Sequence, residues 1–244
     1  MSLRVTLATA RRLLRQLRRD RRTIALMLVV PPVLITLLKY VFAGRPGTFE
    51  RIGGPIVGLF PFVTMFLVTS IAMLRERTTG TLERLMSLPL ARLDLLVGYG
   101  LAFALLAAVQ ATITAGVAFG LLGVDSLGPI WLVVAIAIAN AVLGMALGLF
   151  LSAFAQTEFQ AVQFMPAFIF PQILLCGLFV PREEMAAALE AVSYLLPLTY
   201  AYDALARSIA DELDARLALD LAVVTGCIVL SLVLGATTLR RRTP

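Results

Sequence analysis

The sequence predicts an all-α polytopic membrane protein with six transmembrane helices, and three observations lead there. Hydrophobic residues fill 60% of the 244 positions and charged residues 15%, with a mean hydropathy of +0.93; a soluble domain needs far more polar surface than that. Six apolar stretches, at about 23–42, 55–74, 95–122, 130–151, 161–180 and 217–239, each supply the roughly 20 residues that a helix rising about 1.5 Å per residue needs to cross the hydrocarbon core. The arginines are shared unevenly between the links: eight precede the first stretch, four lie between the second and third, and three follow the sixth, against Arg45, Arg51, Arg182, Arg207 and Arg216 in the other links. By the positive-inside rule this distribution fits six spans with both termini in the cytosol.

The net charge of +6 follows from the same topology and implies no nucleic-acid partner. Every basic residue except Lys39 is arginine, a usage that points to a GC-rich bacterial genome. Histidine is absent, and Cys176 and Cys227 lie far apart in apolar runs, so a metal site or a disulfide framework has almost nothing to build with. Both cysteines are expected as small core residues.

Residues 1–22 form a first part, a basic amphipathic interfacial helix. The charged stretch is too long, and lacks the small-residue cleavage site, for a cleavable signal. Leu3, Leu7, Ala10, Leu14 and Leu17 recur at helical spacing, with Arg4, Arg11, Arg12, Arg15, Arg18, Arg19 and Arg22 on the rest of the wheel. Such a helix lies with its apolar face in lipid and its arginines among anionic head groups. The alternative is an unstructured basic anchor.

Residues 23–244 form the second part, a six-helix transmembrane domain. Pro31 and Pro32 predict a kink in the first span, and Lys39 near its outer end is expected to snorkel to the interface as an anchor. Residues 43–54 read as a short outer loop before the second span. Along the third span Ala104, Ala108, Thr112, Gly116 and Gly120 repeat every four residues, a ladder that lets another helix approach closely. The fourth span repeats the device with Asn140, Gly144, Gly148 and Ser152. Gln110 and Asn140 are expected to hydrogen-bond between helices rather than to serve translocation. Gly123 to Pro129 is a tight outer turn.

Pro166 and Pro171 interrupt the fifth span, which ends in Gly177-Leu-Phe-Val-Pro181. Broken backbone at membrane depth is tolerated where protein or water satisfies the freed carbonyls, so this helix either faces a partner or pathway or is kinked inside the bundle. Between 182 and 216, Pro181, Glu183 and Glu184 favour a helix start. Two short amphipathic helices are expected there on the outer mouth, the first presenting Met185, Leu189 and Val192 on one side. The last span comes next, and Arg240, Arg241 and Arg242 hold the C-terminus inside.

Chemistry of the usual kinds is missing. There is no phosphate loop, since the one lysine is Lys39, and no constellation of catalytic residues that needs histidine. Glu50, Asp125, Glu158, Asp203 and Asp220 fall in loops or near span ends, whereas ion-coupled transporters keep ionisable groups where the ion crosses. A conduit driven from outside is what remains.

The stretch from Arg75 to Asp94, between the second and third spans, offers a place for the drive to arrive. Gly80 breaks the extension of the second span, and Pro89 ends the short segment beyond it. Between them Leu82, Leu85 and Met86 share one face of a short helix, and Glu83, Arg84 and Ser87 share another. So short a helix needs a surface to pack on. A lipid interface would serve; so would a groove on a cytosolic protein, which suits the mixed charges of Arg75, Glu76, Arg77, Glu83, Arg84 and Asp94.

Glu76, Gly80, Thr81 and Glu83 within RERTTGTLERLMSLPL resemble the cytosolic signature of type-2 ATP-binding-cassette (ABC) exporter permeases, the group of the daunorubicin-resistance-type drug exporters. Gly177 to Pro181, and Leu196-Pro-Leu-Thr-Tyr-Ala-Tyr-Asp-Ala-Leu-Ala-Arg207 with Pro197, Tyr200, Asp203 and Arg207, resemble that family's two late motifs in order and spacing. The resemblance covers essentially the whole chain; one departure is Leu196, where the family usually has Asn, at an outer cap. It implies a non-enzymatic permease subunit of an exporter in the bacterial cytoplasmic membrane. Two separate cytosolic ATPase subunits would carry ATP and Mg, with no cofactor in this chain. A second permease copy or a sister permease would complete the transporter. The loop from Glu76 to Pro89 would be its coupling helix, resting in a cleft of the ATPase, with the first, second and fifth spans near an alternating-access pathway. The cargo implied is amphipathic: a drug, antibiotic or lipid. An ion-driven secondary transporter and a non-transporting membrane scaffold or assembly subunit are the competing functions.

Overall fold

The computed structural model describes residues 3–44, 46–81 and 92–238, and among them every regular element is helical. The long helices are α1 (Leu3–Arg19), α2 (Arg21–Val41), α3 (Pro46–Thr78), α4 (Arg92–Ala115), α5 (Ile130–Leu151) and α10 (Ala215–Thr238). The short ones are α6 (Glu158–Phe164), α7 (Phe170–Leu175), α8 (Ala187–Ser193) and α9 (Pro197–Ile209). Five segments are long and apolar enough to cross a membrane: Arg21–Val41, Arg51–Thr78, Val97–Leu121, Ile130–Leu151 and Ala215–Thr238.

The remaining expected span, 161–180, is not one helix. α6 passes into a π-helical segment, Met165–Ile169, then α7 ends at Leu175 and the chain bends, with Gly177 at φ +99°. Pro166 and Pro171 lack the N–H that would bond four residues back, and a wider turn accommodates their rings. The prolines of the first span act differently, because α2 runs through Pro31 and Pro32 as one helix. Pro31 leaves the Met27 carbonyl without its intrahelical donor, and Gln110 Nε2 donates to it at 2.9 Å. Gln110 thus performs the interhelical bonding expected of it.

α3 and α5 form the centre of the bundle. The fourth-span ladder is used here: an added Cβ at Gly144 would collide with the Phe62 carbonyl, and one at Gly148 with Phe66 O and Thr69 Oγ1. Asn140 Nδ2 donates to Gly58 O at 3.1 Å, and Ser152 Oγ to Leu149 O at 2.6 Å. Phe62, Phe66, Val57 and Leu143 are fully buried around this contact. The third-span ladder is a different case. Ala104 and Ala108 are half-buried, while Thr112, Gly116 and Gly120 are exposed, with nothing within 4 Å of a Cβ built at either glycine. α4 instead buries Tyr99, Phe103, Ala107, Ala111 and Thr114. The outer half of the ladder therefore packs no helix among the described residues, because the larger rings on the neighbouring stripe bury more apolar surface. A π-helical segment, Gly116–Leu121, ends this span, and Lys39 Nζ caps it by donating to Leu122 O at 2.6 Å.

Two further expectations shift. The outer loop at 43–54 is mostly helix, since α3 begins at Pro46 and buries Phe49 in the core. α1 is helical as expected, yet its buried residues are Thr6, Thr9, Ala10 and Leu13, while Leu3 and Leu7 are exposed. Gly98 is the reason: a Cβ there would lie 2.7 Å from Thr9 Cβ and 2.9 Å from Thr6 O, so the bare backbone of α4 admits α1 closely. Thr9 bonds its own turn, Oγ1 to Val5 O at 3.0 Å, which allows its burial.

Candidate coupling site

α3 extends past the apolar run and ends in three consecutive charges, Arg75, Glu76 and Arg77, each aimed at a different element. Glu76, with 4% of its side chain exposed, takes Arg12 of α1 at 3.3 Å on both carboxylate oxygens. The same Nη2 donates to Tyr99 Oη of α4 at 2.6 Å. Arg75 forms a two-pronged pair with Glu158 at the start of α6, Nε to Oε1 at 2.7 Å and Nη2 to Oε2 at 3.1 Å. Arg75 holds the Glu158 carboxyl below its ordinary value by these hydrogen bonds. Arg77 reaches Thr238 at the end of α10, 3.5 Å away. One turn of α3 is thereby tied to α1, α4, α6 and α10.

The helix stops just beyond. Thr78 Oγ1 donates to Leu74 O at 3.1 Å, and the Thr79 amide and hydroxyl donate to Arg75 O at 2.9 and 2.7 Å. Gly80 comes next at φ +70°, the left-handed conformation that terminates helices and that only glycine adopts freely. Thr81 sits immediately after, its hydroxyl 3.0 Å from that of Thr79. Leu82, Glu83, Arg84, Leu85, Met86 and Pro89 lie outside the described residues. Where description resumes, Asp94 on the first turn of α4 is buried.

Glu76 therefore is no exposed contact residue, as its place in a mixed-charge loop suggests; it is the buried end of an internal ion pair. Arg12 and Tyr99 were not singled out by sequence reasoning. Arg12 stands among six α1 arginines of one pattern, and only the pairing of α1 with α4 distinguishes it.

At the opposite end of the bundle the late motifs come together. Gly177 at φ +99° has the Tyr202 ring 3.3 Å from an added Cβ. Pro181 precedes a 3₁₀ turn, Arg182–Glu184, and Arg182 pairs with Asp203 at 2.7 Å while lying over the Tyr194 ring. Burial raises the Asp203 carboxyl pKa, against the pull of Arg182. Pro197 opens α9, whose Leu196 cap offers no side-chain bond; Thr199 Oγ1 and Tyr200 Oη donate to Ser193 O and Tyr194 O instead, at 2.7 and 2.8 Å. Arg207 faces Glu212, Asp214 and Asp220 at 3.3, 3.4 and 3.6 Å. The two expected short helices exist, although the helix start at Pro181 is only the 3₁₀ turn, and Leu189 and Val192 are exposed. Arg182, Gln172, Tyr202 and Asp220 join this cluster without having stood out in the sequence; the ordering of Arg182 directly after Pro181 was the available signal.

Comparison with known proteins gives a consistent result. A model of the ABC-2 type transporter family matches residues 4–209. The probable multidrug ABC transporter permease YbhR of Escherichia coli K12 is 26% identical over 148 residues, 61% of this chain and 40% of YbhR. The ABC transporter G family member 20 of Dictyostelium discoideum is 28% identical over 150 residues, 62% of this chain and 20% of that protein. YbhS of Escherichia coli K12, also named a probable multidrug ABC transporter permease, is 27% identical over 135 residues, 55% of this chain and 36% of its own length. The matched stretch thus spans well under half of each relative. Because the family match extends from the helix that carries Arg12, through the Glu76 root, to the Arg207 cluster, this chain belongs to the ABC-2 type transporter family as a type-2 ABC permease.

Proposed function

We propose that this chain is the membrane subunit of an ATP-driven exporter in the bacterial inner membrane, with both termini cytosolic and 161–180 as a sixth, broken span. Separate ATPase subunits bind ATP and Mg; a second permease copy or a sister permease completes the pathway. The observation that carries the reading is the root of the 79–91 loop. A force applied to that loop enters at Arg75, Glu76 and Arg77 and is delivered at once to α1, α4, α6 and α10, as a coupling segment requires. Packed elements move as units, so such a root converts a local displacement into helix motion. An amphipathic cargo, moved by alternating access, suits the uncharged stretch 159–181 and the multidrug names of YbhR and YbhS.

Co-purification and reconstitution with the ATPase tests this. Gly80→Val and Glu83→Ala are expected to leave the protein inserted while ATPase binding or substrate-dependent hydrolysis falls at least about tenfold, since a left-handed glycine and a charged contact are lost. Full ATPase binding and transport in both variants would overturn the assignment of the loop. Transport that survives ATP depletion and collapses with the ion gradient would replace the exporter with a secondary transporter.

A further inference from the structure

The three-way partition of α1 leaves one face without a role in the bundle. Thr6, Thr9, Ala10 and Leu13 are buried against α4. Leu3 and Leu7 form an exposed apolar flank, 72% and 53% accessible. Arg4, Arg11, Arg15, Arg18 and Arg19 occupy the remaining face, all exposed, and none of them forms an ion pair among the described residues. Two adjoining concavities run along it. The first, about 560 Å³, is lined among the described residues by Ala8, Arg11, Arg12, Arg15, Gln16 and Arg19. The second, about 410 Å³, is lined by Arg15, Arg18, Arg19 and Arg21. No described carboxylate lines either one, and the nearby Asp20 is engaged by Thr23, through its amide at 3.2 Å and its hydroxyl at 2.7 Å.

We propose that the arginine groove of α1 is a binding site for the phosphodiester headgroup of an anionic glycerophospholipid of the inner leaflet. Guanidinium groups bind phosphate oxygens in pairs, with a planar geometry that ammonium groups lack. The level is right as well. α2 begins at Arg21, directly after the groove, and its exposed Leu26, Val29, Val30 and Val33 form a surface for acyl chains. Leu3 and Leu7 add an exposed apolar flank on α1 itself, so the arginines stand beside apolar surface on both helices, as groups do where hydrocarbon gives way to head groups. A water-soluble acidic partner would account for the arginines and leave two exposed leucines beside them unexplained. The Arg12 bonds to Glu76 and Tyr99 all use Nη2. The groove therefore borders the root of the coupling loop, and headgroup occupancy steadies α1 against it.

The test uses the purified full chain. Phosphatidylglycerol and phosphatidylcholine are titrated into the delipidated protein in neutral detergent, and bound lipid is counted by native mass spectrometry. Inorganic phosphate is added as a competitor in a separate arm. The triple variant R11Q/R15Q/R19Q changes only exposed side chains, and R240Q/R241Q/R242Q controls for bulk charge. An arginine near an anionic surface is worth roughly a fivefold change in affinity, so the triple variant should lose at least about tenfold in phosphatidylglycerol binding, the control variant much less. Wild-type protein should prefer phosphatidylglycerol to phosphatidylcholine. Equal binding of the two lipids, undiminished binding in the triple variant, or an equal loss in the control would overturn the proposal. Full displacement by millimolar phosphate would assign the groove to a free anion instead, and retained lipid binding with lost ATPase binding would assign it to a protein partner. Since lipid binding is read on this chain alone, the result stands apart from that of the transport reading.

Discussion

Breaking the Arg12–Glu76 pair should release α1 from the bundle without unfolding the spans. Glu76 is 4% and Arg12 35% exposed at the side chain, with the contact at 3.3 Å. Removing one member of a fully buried pair costs about 3–5 kcal/mol, and an exposed pair contributes about 0–1. A pair with one end buried and the other a third in solvent falls between, at about 1–3 kcal/mol. Tyr99 Oη, 2.6 Å from the same nitrogen, keeps part of Arg12 satisfied and argues for the lower half of that range. At about 1.4 kcal/mol per factor of ten in population, the lower half of that range, about 1–2 kcal/mol, means that Glu76→Gln should raise the detached fraction of α1 roughly five- to 30-fold. Hydrogen exchange of residues 3–19 reads this directly, with α5 as the internal control, because local openings exchange independently of global unfolding. The double variant Arg12→Gln/Glu76→Gln should exchange no faster than the worse single variant. Exchange in α1 unchanged by Glu76→Gln, or strictly additive effects in the double variant, would refute the claim that this pair fastens α1 to the end of α3.

Packing sets two further outcomes. Gly148→Val should destabilise the protein by at least about 1–3 kcal/mol, since its Cβ meets the Phe66 backbone, whereas Gly116→Ala should change stability by less than about 0.5 kcal/mol; thermal unfolding in detergent distinguishes them. Gln110→Leu should cost about 1–3 kcal/mol by leaving the Met27 carbonyl unpaired, and Pro31→Ala in the same chain should recover most of it by restoring the helical N–H.

The spans differ in how far local pattern could foretell their packing. In α5 three members of the predicted ladder meet α3, because Asn140, Gly144 and Gly148 lie on its buried stripe, while Ser152 bonds its own last turn. In α4 an equally regular ladder turned outward, since two small-residue stripes run side by side and only one carries Tyr99 and Phe103. Periodicity reports that a helix can be approached closely, and which neighbour arrives depends on contacts distant in sequence. Gln110 was legible as an interhelical donor, yet its acceptor was set by Pro31, 79 positions away.

Composition and charge order decided by themselves that this is a helical membrane chain and where most of its spans begin and end. Hydropathy registers transfer into an apolar medium, a property each segment has alone. Tertiary structure decided what a segment cannot carry alone: that α1 packs threonines and Leu13 at Gly98, that the fifth stretch breaks around two prolines, and that Glu76 turns inward to Arg12. Those outcomes are settled by which backbones can approach and which buried charges find partners, and both are properties of pairs.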